Sequence, residues 1–307
     1  MYEPNERLRA LGNLYADVNI FKDLTFRTSL GLDYVLSNFN KFKRPYAEGV
    51  LGSHKPEAVS RKSTVGNILT ENTLTYRRAL DKHNIEALAG YTAQLSVSEY
   101  LSALSFFHIS EEVITIDGGQ PDPNRLAGGG RDETSYVSLL GRINYSYADK
   151  YLFTANIRRA GSSVFTSANK YGIFPSFSAG WRVSDETFMK AVPLVSDLKI
   201  RASWGQVGID GSLGLGSAYA TIGSGYRYNF NGTVVNGMAA NRVPNPGLKW
   251  ETVTQTDIGL DVGLFDNRLT LTTDYFIKRY DDMITHKLIP IYAGMVDDGY
   301  YLNDITQ

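Results

Sequence analysis

Through residues 136–159 apolar side chains fall at every second position. Val137, Leu139, Ile143, Tyr145 and Tyr147 alternate with Ser138, Arg142, Asn144 and Ser146. After a two-residue polar turn at Asp149-Lys150, Phe153, Ala155 and Ile157 alternate with Thr154, Asn156 and Arg158. Successive side chains of a strand point to opposite faces, so the pattern predicts a β-hairpin with one apolar face and one wet face. The pattern recurs. Leu14, Ala16, Val18 and Ile20 pass through Lys22-Asp23 into Leu24, Phe26, Leu30, Leu32 and Tyr34. Ile258, Leu260, Val262 and Leu264 pass through Asp266-Asn267 into Leu269, Leu271, Tyr275 and Ile277. A further hairpin turns at Asp81-Lys82, although Arg77, Arg78 and Glu86 blur its facing. Strands around Phe177, Ala179, Trp181 and Val183 and around Leu198, Ile200, Ala202 and Trp204 flank a connector. There Ser184 reads as an N-cap before Asp185 and Glu186, predicting a short helix stopped by Pro193.

Residues 35–67, marked by Pro45, Gly49, Gly52 and Pro56, read as a loop. So do residues 96–133, with Asp117, Gly118, Gly119, Pro121, Pro123 and the run Gly128-Gly129-Gly130. Residues 206–249, rich in Gly, Ser and Asn, form the longest one. Tight turns and long loops thus alternate along about ten strands, the build of an antiparallel transmembrane β-barrel with short periplasmic turns and long extracellular loops. The predicted class is all-β, a barrel segment covering residues 1–307. A soluble β-sandwich also alternates faces, but rarely collects every long loop at one end.

Composition narrows the function classes. The 307 residues carry 31 basic and 32 acidic side chains, 43% hydrophobic and 21% charged. That balance leaves no electrostatic footprint for nucleic acid. No cysteine is present, which removes disulfides and thiolate metal sites. No segment approaches the ~20 apolar residues of a spanning helix, whereas barrel strands need only ~9–11 residues each and alternate with polar ones. Twenty tyrosines suit interfacial girdles, where a ring meets lipid and its hydroxyl meets water.

Candidate chemistry is sparse. His54, His83, His108 and His286 lack ligand spacing and read as ordinary loop or turn histidines. Gly128-Gly129-Gly130 and the glycines of 208–216 lack the strand-to-helix context of a phosphate loop. Asp117, Asp122 and Asn124 do not match a calcium loop, and Glu111-Glu112 and Asp297-Asp298 point to opposite faces if extended. No catalytic constellation, cofactor site or metal site is therefore expected, and an enzyme is the least supported class. By strand parity Arg142, Arg158, Arg182 and Arg201 share the polar face with Asp257 and Asp261. They are candidates to line a hydrated lumen, or to hold strands in register through ion pairs. Tyr219, Tyr226, Tyr228 and Phe230 in the longest loop are candidates to stack on sugar rings, or simply to pack that loop.

Two runs, YGIFPSFSAGWR at 171–182 and DLKIRASWGQ at 197–206, resemble the SusC/RagA family of TonB-linked outer-membrane transporters. NPGLKWET at 245–252, DIGLD at 257–261 and DYFIK at 274–278 are similar to that family's distal barrel, with weaker similarity through residues 14–34. The resemblance implies a barrel of about 22 strands, a plug inside it, and a SusD-type surface lipoprotein closing its mouth. It also implies outer-membrane lipid around the wall, coupling to the TonB complex through the plug, and uptake of oligosaccharides or peptides by Bacteroidetes. Plug and closing strands are expected outside these residues, so the chain reads as an internal piece, not an independent transporter. A passive porin-like channel and a soluble β-rich glycan-binding module are the alternatives.

Overall fold

The computed structural model describes residues 4–45, 55–120, 125–211, 213–214, 216–240, 242–290, 292 and 299–305. Ten strands form one antiparallel sheet in the order β1 (Asn5–Phe21), β2 (Leu24–Lys43), β3 (Glu57–Leu80), β4 (His83–Phe106), β5 (Arg125–Tyr147), β6 (Tyr151–Ser162), β7 (Tyr171–Arg182), β8 (Val195–Ile209), β11 (Glu251–Leu264) and β12 (Leu269–Asp281). Among the described residues the sheet does not close: β1 and β12 are its edges. Two small sheets accompany it, β9 (Ile222–Phe230) with β10 (Thr233–Ala240) and β13 (Met283–Leu288) with β14 (Gly299–Ile305). All ten predicted strands exist, and several run further than their alternation suggested.

Register explains why the alternation was so legible. Across β5 to β12 the residues Tyr145, Phe153, Ala179, Ala202, Ile258 and Tyr275 stand in one row of directly paired positions. A second row runs Ile143, Ala155, Phe177 and Trp204. Leu139, Ile143, Phe153, Ile157, Phe177, Ile258 and Leu271 on this face are each more than half exposed. A continuous apolar face of this size needs an apolar solvent.

Packing groups the chain into two units. One comprises residues 1–15, 29–70 and 94–135, the other residues 16–28, 71–93 and 136–307. In the first, Phe42, Ala58 and Ser105 are buried, and His108 is held on both ring nitrogens, Nε2 at 2.9 Å from Ser105 Oγ and Nδ1 at 2.8 Å from the Val113 carbonyl. Phe42 meets that imidazole edge-on at 5.1 Å. His108 therefore anchors a folded loop, while His54 lies outside the described residues.

Several expected loops are strand. β2 continues to Lys43 and β3 begins at Glu57 inside the predicted loop 35–67, and β4 and β5 extend through much of 96–133. β3 and β4 have 24 residues each, more than twice the ~9–11 that span a bilayer. Beyond the bilayer a paired strand need not keep one face apolar, so the alternation that reveals it disappears. Gly128-Gly129-Gly130 lies in β5, not in a loop. A side chain at Gly129 would stand 2.9 Å from the Tyr100 carbonyl oxygen, and one at Gly130 2.9 Å from the Tyr100 ring, so these glycines admit the close approach of β4. The predicted helix after Ser184 is instead two 3-10 turns, Val183–Asp185 and Thr187–Ala191, with no side-chain cap. The hairpin loop after β5 is three residues, 148–150, because Tyr147 pairs directly with Tyr151. The longest predicted loop contains β9 and β10.

Candidate functional site: the polar face and the loop cluster

The second unit carries two constructions, one polar and one with an apolar core. The first is the face of the sheet opposite the apolar rows. Arg201 on β8 donates from Nε to Asp261 Oδ2 at 2.8 Å and from a terminal nitrogen to Asp261 Oδ1 at 3.0 Å, a bidentate pair with β11. The same guanidinium reaches Asp274 Oδ1 on β12 at 3.0 Å. That reach crosses β11 at Gly259, where an added side chain would collide with Asp274 and stand 2.8 Å from Arg201 Cζ. Glycine at 259 is thus what lets one arginine tie three strands.

Similar ties run through the other strands. Arg142 donates to Asn156 Oδ1 at 2.6 Å, and Asn156 donates to Ser176 Oγ at 3.1 Å. Arg158 donates twice to Ser138 Oγ, at 2.9 and 3.1 Å. Arg77 donates to Glu86 Oε2 at 2.5 Å, Asn144 donates to Glu86 Oε1 at 3.2 Å, and Thr154 donates to Asn144 Oδ1 at 2.9 Å. This settles the facing that Arg77 and Glu86 had blurred: they form a cross-strand pair on the polar face. Arg182 ends β7 opposite Lys199, and Asp257 stands opposite Ser203. Lys199, Arg201, Ser203 and Asp257 border a shallow polar depression of about 260 Å³. All six candidate polar-face residues therefore share one face. Asp274 falls on the same face by parity, but its bond to Arg201, like the roles of Glu86 and Gly259, is visible only once register is known.

The second construction sits where loops meet above the strand ends. Val164, Phe165, Leu213, Ala218 and Leu248 form a buried cluster, with Trp250, Ile284 and Tyr301 packed against it. Trp250 touches Phe165 at 5.1 Å and Phe174 at 5.6 Å between ring centroids, and its indole N–H donates to the Lys170 carbonyl at 3.2 Å. Residues 245–251 act as its keystone. Asn169 donates to the Gly247 and Leu248 carbonyls, Thr166 to the Pro246 carbonyl, and Asn245 to the Tyr301 carbonyl. Asn303 accepts from the Lys249 amide at 2.9 Å and donates to the Lys249 carbonyl at 2.9 Å. Below the cluster the Tyr136 hydroxyl donates to Asp210 Oδ2 at 2.5 Å.

The loop aromatics divide. Tyr226, Tyr228 and Phe230 take alternate positions of β9 and so share a face of the hairpin, whereas Tyr219 stands apart in the turn that precedes it. The Tyr228 ring fills the space a side chain at Gly237 would need. Phe230 is 75% exposed. His83 Nδ1 lies 2.8 Å from the Tyr145 hydroxyl, and His286 packs on Tyr301 at 5.1 Å. Asp122, Asn124, Asp297 and Asp298 lie outside the described residues.

At the short-turn end an aromatic belt runs across the apolar face. Tyr147, Tyr151 and Trp181 stack in sequence at 6.3 and 6.4 Å, beside Tyr145 with Phe153 at 6.4 Å and Phe177 with Trp204 at 6.0 Å. Glu186 in the connector gathers this belt. It accepts from the Tyr151 hydroxyl at 2.7 Å, from the Trp181 indole at 3.3 Å and from Lys150 at 3.3 Å. Those donors, the Tyr151 hydroxyl first, hold its carboxyl below the usual carboxylate range.

Residues 3–300 match the family model described as TonB dependent receptor-like, beta-barrel. The chain is 35% identical over 296 residues to TonB-dependent receptor P3 of Formosa agariphila, covering 92% of this chain and 28% of that protein. It is 36% identical over 173 residues to TonB-dependent receptor SusC of Bacteroides thetaiotaomicron, covering 52% of this chain and 17% of that protein. In fold it matches the RagAB peptide importer in its closed-closed state, with a TM-score of 0.87 at 23% identity over 99% of this chain and 33% of that one. The chain thus spans about a third or less of the length of these relatives.

Proposed function

The chain belongs to the TonB dependent receptor-like β-barrel family, and from that premise we propose that it supplies barrel wall and extracellular loops to an energised outer-membrane importer of oligosaccharides or peptides. Its place is the outer membrane, with strands rather than helices crossing the bilayer. The observation that best supports an importer is the two-faced wall. One face is apolar from β5 to β12, and the other carries a cross-strand lattice of arginine, asparagine, aspartate and serine. A wide hydrated lumen suits such a lattice, since an arginine facing lipid would cost about 2–4 kcal/mol near the midplane.

In this reading Arg142, Arg158, Arg182, Arg201, Asp257 and Asp261 line the lumen. Arg201 and Asp261 are mainly register ties there, while Lys199, Arg182 and Asp257 remain available to a plug or a polar solute. The loop cluster is a rigid base from which β9, β10 and their aromatics, Tyr226, Tyr228 and Phe230, meet cargo and a SusD-like lipoprotein. Tyr219 would contribute from the preceding turn. The chain spans about a third or less of the relatives it matches, and in this reading the remaining strands, the plug and the contact with the TonB complex belong to the other parts of such a protein.

The test is uptake by cells making the full-length protein. Import of the cargo should stop when TonB is deleted and resume when it is restored. Conductance that persists without TonB would overturn the importer in favour of a passive porin-like channel.

A further inference from the structure

The connector between β7 and β8 is longer than a turn needs to be, and its composition is unusual for a water-exposed loop. From Phe188 to Leu194 it reads Phe-Met-Lys-Ala-Val-Pro-Leu, with Lys190 its one charge. Phe188 is 59% exposed, Val192 42% and Leu194 49%. The segment is nevertheless ordered by backbone bonds: Met189 N–H to the Glu186 carbonyl, Val192 to Met189 and Val195 to Val192, at 2.9–3.1 Å.

Two observations place it. Glu186 binds Tyr151 and Trp181, and both side chains belong to the apolar face, since Tyr151 pairs with Trp181 and Trp181 with Ile200. The connector is therefore drawn toward the outer side of the wall, next to the aromatic belt. The turn after β11 is tied to the same segment: Phe265 N–H donates to the Leu194 carbonyl at 3.1 Å and Asp266 N–H to Ser196 Oγ at 2.7 Å. Phe265, Asp266 and Asn267 all adopt positive φ, at 54°, 56° and 60°. A phenylalanine in that region is strained and persists only where its surroundings fix it. Phe265 is 54% exposed in the turn bonded to Leu194.

We infer that Phe188, Val192, Leu194 and Phe265 form a membrane-interface foot that rests in the periplasmic leaflet, continuing the belt of Tyr147, Tyr151 and Trp181 beyond the strand ends. The occupant is lipid. Aromatic and aliphatic side chains beside one lysine, contiguous with a phenol and indole girdle, match the boundary between headgroups and acyl chains. The strand turns at 22–23 and 81–82 are polar, and that at 148–150 holds only Ala148 beside Asp149 and Lys150, so none offers a large apolar surface of its own. This inference goes beyond the importer reading and needs only the outer-membrane position of the wall. Failure of uptake would leave it standing.

The absence of cysteine in this chain makes the test direct. The full-length protein, with any cysteine elsewhere replaced by serine, is made as Phe188→Cys and separately as Val192→Cys. Each is labelled with an environment-sensitive fluorophore and reconstituted in phosphatidylethanolamine–phosphatidylglycerol vesicles. Asp149→Cys, in a polar turn at the same end, is the aqueous reference. Labels at 188 and 192 should be quenched at least about twofold more by a nitroxide lipid labelled near the headgroup than by one labelled near the bilayer centre, consistent with a depth of about 5–10 Å. The label at 149 should respond to a water-soluble quencher instead. Labels at 188 and 192 that behave like 149 would overturn the foot. So would labels shielded from water yet unquenched by either lipid, because protein would then cover the patch.

Discussion

Leu271 and Leu248 are the same side chain with opposite fates. Leu271, on the outer face of β12, is 59% exposed; Leu248, in the loop cluster, is fully buried. The wall needs no protein core, because lipid solvates one face and cross-strand polar pairs satisfy the other. The loop cluster builds a core from side chains far apart in sequence: Val164 and Phe165 after β6, Leu213 and Ala218 after β8, Leu248 before β11. Stability in the wall therefore resides in parity, and stability in the loops in packing.

The largest test of that contrast is Phe165→Ala. Removing a fully buried ring should cost about 3–5 kcal/mol locally, read as accelerated hydrogen exchange of residues 163–169 and 245–250. Exchange in β6 and β7 nearer the short turns should stay unchanged. Next, Ala202→Arg and Ser203→Arg place one charge on adjacent positions of β8 that face opposite ways. The first should destabilise the folded protein in bilayers by about 2–4 kcal/mol, by urea unfolding. The second, standing opposite Asp257 on the polar face, should stay near wild type, and equal costs at the two positions would refute the parity argument. Tyr136→Phe, which deletes the hydroxyl that Asp210 accepts, should cost about 1–2 kcal/mol and loosen the base of the cluster, visible as faster proteolysis of the 206–249 segment.

The smallest effect is a pH dependence. Because the folded-state pKa of Glu186 is depressed, chiefly by the Tyr151 hydroxyl, its contribution is present above the ordinary carboxylate value of about 4.3. It is lost as pH falls through the lowered folded value. Exchange protection of residues 183–192 should fall in that acid window and be independent of pH there in Glu186→Gln.

The loops show where sequence reading runs short. Residues 57–67 and 96–106 hold no clean alternation, yet they are strand, because outside lipid only backbone pairing is required of them. The NPGLKWE run carries its family likeness in the sequence alone. Its physical role, with Leu248 and Trp250 holding a core and Asn245 and Lys249 latched to the 301–303 strand, depends on segments some 50–80 residues away. A Leu and a Trp beside Pro-Gly in a polar stretch are the one local sign of it. Similarly, Arg201 could be assigned to the polar face by parity, and Asp261 with it, whereas Asp274 could be named as its second partner only from the β11–β12 register and the gap left by Gly259.

What the sequence by itself determined is the two-faced wall: ten strands, their facing, most of their turns, and a family resemblance that whole-chain comparison bears out. Period-two alternation is a local property, imposed at each position by lipid on one side and water on the other. The tertiary structure alone decided the reach of the strands beyond the bilayer, the core beneath the loops, the three-strand tie at Arg201 and the placement of the Phe188 connector beside the aromatic belt. Each of these rests on contacts between residues far apart in the chain, and no local pattern encodes which distant partner a side chain will meet.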